Sequence, residues 1–74
     1  MIHNNETPEQ RFRRLASHRT NQILEKLRIL GNCSNKNVYR YSNEDIGKIF
    51  SSIEKRVKET KALFKLSEKE KFRL

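Results

Sequence analysis

The stretch "GNCSNKNVYRYS", Gly31 to Ser42, decides the fold, because it separates two long runs of helical periodicity. If it reverses the chain, those runs are the two arms of an antiparallel hairpin. Gly31 and Asn32 suit a left-handed helix stop. Ser42 suits the N-cap of a second helix. The connector is therefore read as 31–42, with helix 1 over about 8–30 and helix 2 over about 43–65.

Upstream, "TPEQ" places Thr7 at an N-cap, Pro8 at the first helical position and Gln10 three residues after the cap. This is a capping box, with the proline where its missing N–H costs nothing. Phe12, Leu15, Ala16, Ile23, Leu27 and Leu30 then recur on one face. Downstream, "SNED" sets Ser42 three residues before Asp45, and Glu44 and Asp45 complement the positive end of the helix dipole. Ile46, Ile49, Phe50, Ile53, Val57, Thr60 and Phe64 form one stripe whose steps alternate as in a heptad seam. The expected fold is all-α: an antiparallel two-helix hairpin with heptad-like packing. In that register Leu30 lies near Ile46, Leu27 near Phe50, Ile23 near Ile53, Arg19 near Val57 and Phe12 near Phe64.

The flanks are simpler. Residues 1–6 read as a flexible tail. Residues 67–74 read as a charged tail or a short third helix capped by Ser67 and Glu70, with Phe72 and Leu74 as its apolar residues. The helical domain spans 7–66.

A chain of 74 residues buries a small core, and one cysteine leaves no internal disulfide to help it. Association, with itself or with a larger partner, is the remaining remedy. Leu24, Ile29 and Leu63 point off the main stripes and supply apolar surface for that contact, although scattered surface apolars need no explanation by themselves. Arg19 sits where the stripe of helix 1 calls for Leu or Ile. It can pair with Glu54, expose its head over buried methylenes, or anchor a partner.

The charge balance points to polyanions. Seventeen basic residues stand against nine acidic ones, for a net charge of +8, and the isoelectric point is near 10.1. A field of that size favours DNA, RNA or acidic protein surfaces; the plainer reading is a solvated lysine-rich surface. Arg11, Arg13 and Arg14 cluster in the first turns of helix 1, with Arg28 further along. Lys48, Lys55 and Lys58 share the outer face of helix 2. Such faces hold phosphates by charge neutralisation. In the connector, Lys36 and Arg40 accompany Tyr39 and Tyr41, a combination that stacks bases and holds phosphates of a single strand. The competing role for the tyrosines is to cover the open end of the helical core, with Ser34 and the asparagines capping the turn.

Catalysis is not expected. Gly31 and Gly47 are the only glycines, so no phosphate-cradling loop is present. Glu44 and Asp45 are explained by capping. Cys33 follows a helix C-terminus, where the dipole disfavours a thiolate, and reads as a buried apolar plug instead. His18 faces away from the apolar stripe, and two histidines with one distant cysteine make a poor metal site. No cofactor is implied. The opening "MIHNNETPEQ" lacks the apolar run of a secretory leader, and no segment has the length of a membrane span. A lone cysteine suits a reducing interior, so a cytoplasmic location without membrane contact is expected.

The segments "RFRRLASHRTNQILEKLRILGNCSN" and "YRYSNEDIGKIFSSIEKRV" together resemble small uncharacterised helical proteins of bacterial mobile elements and phage-like regions. The resemblance covers about residues 10–64 and rests on the "RFRRLA" start, the "LGNCSN" turn and the "YSNEDIGKIF" opening of helix 2. It implies an accessory protein in mobile-element replication, regulation or conflict with the host, and carries over no residue roles. The expected function is thus a non-catalytic basic module contacting nucleic acid, as a small subunit of a larger nucleic-acid-processing assembly. A protein-interaction module (inhibitor, adaptor or oligomeric scaffold) is the alternative. A sequence-specific regulator ranks below both, since no helix-turn-helix or ribbon pattern is visible.

Overall fold

The computed structural model of the chain describes residues 5–64, and within them the protein is all-helical, with no strand. It divides into two units, one ending at Tyr39 and the other beginning at Arg40. Residues 1–4 of the expected tail, residues 65–66 of the expected domain, and the expected third helix at 67–74 lie outside the described residues.

In the first unit, α1 runs from Pro8 to Gly31. Its start is the reciprocal box expected from "TPEQ". The Thr7 hydroxyl accepts from the Gln10 backbone N–H at 3.1 Å, and the Gln10 side-chain oxygen accepts from the Thr7 N–H at 2.9 Å. The box satisfies two donors that the helix leaves without an internal partner.

The end of α1 corrects the expectation of a left-handed stop. Gly31 is right-handed, with φ −59° and ψ −24°, and no residue of the described chain has a positive φ. The winding does not stop there; it tightens into a 3-10 turn, Asn32–Ser34. The Asn32 N–H reaches the carbonyls of Ile29 and Leu30, so orphan carbonyls are met by shorter-range bonds and no left-handed cap is needed. Asn35 is where the chain turns. Its side-chain oxygen accepts from the Asn37 N–H at 3.0 Å, and its carbonyl accepts from Val38 and Tyr39 at 3.1 and 2.9 Å. This is the side-chain mimicry of a turn that asparagine performs well. Lys36–Val38 belong to this turn.

In the second unit, α2 runs from Asn43 to Lys61. The Ser42 hydroxyl accepts from the Asp45 N–H at 3.0 Å, and the Asp45 carboxylate accepts from the Ser42 N–H at 3.0 Å. A short acid at the third helical position thus takes the part usually given to Glu or Gln, while placing negative charge at the positive end of the dipole. The helix ends at Lys61, short of the expected limit of about 65. Leu63 and Phe64 donate to the carbonyls of Thr60 and Lys61 at 3.0 and 3.1 Å, so the last turn is of the tighter kind. Phe64, the final residue of the expected stripe, falls beyond the helix.

No described residue is fully buried. Leu15, Ala16 and Leu30 in the first unit, and Tyr41, Ile46 and Ile53 in the second, are partly covered. The remaining stripe residues are open: Ile23 is 58% exposed and Val57 57%. Each helix is capped and carries exposed apolar residues. Among the described residues, no helix is long and apolar enough to cross a membrane.

Candidate nucleic-acid interface

The cations of "RFRR" do not form one cluster. About 100° separates successive residues around a helix, so Arg11 and Arg14, three apart, share a side, and Arg13 lies on another. Arg14 folds back onto Glu6, its Nε donating to Oε2 at 2.8 Å and its Nη2 to Oε1 at 2.9 Å. Arg11 stands beside the same carboxylate, Nε to Oε1 at 3.9 Å. Helical side chains lean towards the N-terminus, and this lean lets Arg14 reach a residue that precedes the helix. The hydrogen bond from Arg14 to Glu6, and then their mutual attraction, hold the guanidinium above its ordinary pKa. Arg13 instead borders a shallow open notch with Pro8, Glu9 and Phe12.

Further along α1, Arg28 forms a two-pronged pair with Glu25, at 2.6 and 3.1 Å. That bond lowers the Glu25 pKa and raises that of Arg28. On α2, Lys48 lies 3.7 Å from Glu44 one turn away, and Arg56 lies 3.6 Å from Glu59. These are exposed pairs at helical spacing, which contribute little to stability. Arg13, Arg40, Lys55 and Lys58 have no ion pair among the described residues, and all four are exposed.

The two tyrosines differ. Tyr39 is 47% exposed, whereas Tyr41 is partly covered. Tyr39 thus presents a ring that a base could stack on, and Tyr41 is the better candidate for packing. Lys36 sits in the exposed turn set by Asn35. Cys33 is exposed in the 3-10 turn, which corrects the expectation of a buried plug. No described residue is buried, so there is no core at this turn for Cys33 to plug. Arg19 is exposed and has no ion pair among the described residues. Leu24, Ile29 and Leu63 are exposed as well.

Two charged residues bear on the surface although composition and periodicity alone do not single them out. Glu6 belongs to the expected tail, yet an acid just before an N-cap, with arginines in the first two turns, is a legible signal. Arg56 is a further cation of α2, engaged with Glu59. Among the described residues, no three His, Cys, Asp or Glu side chains gather as a metal site would require.

Within the described residues the geometry defines two capped amphipathic helices, each carrying exposed cations. No family model matches the chain, and no curated protein or solved structure shows significant similarity to it.

Proposed function

We propose that the protein is a non-catalytic, basic accessory module that contacts nucleic acid in the cytoplasm, as a small subunit of a larger nucleic-acid-processing assembly of a mobile element. The observation that supports this reading is that four of the expected phosphate contacts, Arg13, Arg40, Lys55 and Lys58, are exposed and have no ion pair among the described residues, on a chain of net charge +8. In this reading they neutralise backbone phosphates, together with Arg11, Arg14, Arg28, Lys36 and Lys48, while Tyr39 and Tyr41 meet unstacked bases. The helices pair antiparallel through their heptad stripes, and a second copy or a protein partner covers the apolar surface left over. The test is a salt titration of binding to DNA and RNA oligonucleotides. Affinity should fall steeply between about 50 and 200 mM salt, and replacing Arg13, Arg14 and Arg40 together with alanine should abolish it. Absence of binding at low salt sinks the reading.

The exposed apolar faces favour a second reading. Phe12, Ile23, Phe50 and Val57 are open on helical faces, as an interaction module built on helix-in-groove or coiled-coil contact would require. Here Arg19, Leu24, Ile29 and Leu63 form the contact with another protein. Co-purification of one protein in a fixed mass ratio, without nucleic acid, would select it.

A further inference from the structure

Glu6 takes the side of Arg14 that a phosphate would take. The Nε and terminal N–H groups of a guanidinium form a fork that fits carboxylate and phosphate alike. In this protein both prongs already hold the two oxygens of Glu6, at 2.8 and 2.9 Å. Arg11 approaches the same carboxylate from the neighbouring turn. The acid is enclosed and the cations are not: the Glu6 side chain is 12% exposed, against 51% for Arg14 and 56% for Arg11. Its position is set by the helix cap, since the box at Thr7 fixes the backbone immediately after it.

The geometry points to an intramolecular mask, in which Glu6 acts as a built-in phosphate mimic and holds back nucleic-acid binding by the Arg11–Arg14 side of α1. This rests on the nucleic-acid reading above. An incoming phosphate must displace the carboxylate to use the Arg14 fork. Exposed ion pairs are weak, so the mask tunes affinity by a few-fold and does not block binding outright. Arg13, on another side of the helix, escapes it. The protein thereby carries a masked and an unmasked arginine within one turn.

The experiment compares the full chain with Glu6→Gln and Glu9→Gln, using fluorescein-labelled mixed-sequence oligonucleotides as probes. Both variants raise the net charge equally, and Glu9 has no ion pair among the described residues. Glu6→Gln should bind about two- to five-fold more tightly than Glu9→Gln at low salt. Its affinity should also fall more steeply with salt, by up to about one further counterion. With Arg14→Ala in the background, the advantage of Glu6→Gln should shrink or disappear. Circular dichroism of each variant checks that helix content is unchanged. Equal affinities for Glu6→Gln and Glu9→Gln, with the unaltered chain binding, overturn the mask and leave the nucleic-acid reading standing. No binding by any of the three overturns the nucleic-acid reading and the mask with it.

Discussion

Arg14 is gripped by both carboxylate oxygens of Glu6, a residue eight positions earlier and outside the helix that carries the arginine. The contact ties the start of α1 to the chain before it and divides the "RFRR" arginines by role. A helix end, a capping box and a side-chain lean together place one charge.

Gly31→Ala and Gly47→Ala should each stabilise the chain. Neither position has a positive φ, and an added Cβ meets nothing within 4 Å at either. Replacing glycine at such sites mainly removes freedom from the unfolded chain, for a gain of about 0.4–1 kcal/mol. The Gly31 variant is decisive for the helix end, because a left-handed glycine would make alanine destabilising. Thermal melting followed by circular dichroism reads both variants as an upward shift of the midpoint. A lowered midpoint for Gly31→Ala contradicts the right-handed end.

Removing either cap should fray its helix. Thr7→Ala and Ser42→Ala each take away the oxygen that accepts from the third helical N–H, a loss of about 1 kcal/mol. Amide exchange should quicken at Gln10 in the first variant and at Asp45 in the second. Exchange rates unchanged at those two amides would contradict the boxes.

Acid should loosen the second half of α1 below the ordinary carboxylate range. The Arg28 hydrogen bond holds the Glu25 carboxyl below its usual pKa. A depressed folded value means the pair contributes stability above the unfolded value and loses it as pH falls through the folded one. The pair is exposed, so the effect is small. A carbon-13 titration of the Glu25 carboxyl should place its midpoint below that of a free glutamate, and Arg28→Ala should return it to the ordinary value. A Glu25 midpoint unmoved by Arg28→Ala removes the assignment.

Arg19→Leu should raise the melting temperature and favour association, if α1 pairs through its stripe. The guanidinium has no acid among the described residues, and a leucine completes the seam for a gain of up to about 2 kcal/mol per chain. Sedimentation velocity reads the association. Higher stability with partner binding unchanged rules out Arg19 as an anchor; loss of partner binding establishes it as one.

The elements were legible because their signals are local. Thr7 with Gln10, and Ser42 with Asp45, declare two helix starts within four residues each, and the apolar recurrence declares the helix bodies. The arginine cluster was legible as composition and not as geometry, since "RFRR" places neighbours in sequence on different sides of a helix. Gly31 misled for a related reason: a glycine permits a left-handed stop but does not require one, and Asn35 supplied a better turn four residues later. The exposure of Cys33 follows from the lack of a buried core among the described residues.

The sequence by itself determined that this chain forms two capped, amphipathic, basic helices, because caps and periodicity act through hydrogen bonds and faces only three or four residues apart. Only the tertiary structure decided that Glu6 leaves the tail to hold Arg14, that Asn35 and not Gly31 turns the chain, and that Tyr39 stands open while Tyr41 is partly covered. Those outcomes depend on the directions of side chains and of backbone carbonyls at the helix ends, which residue identity and spacing leave open.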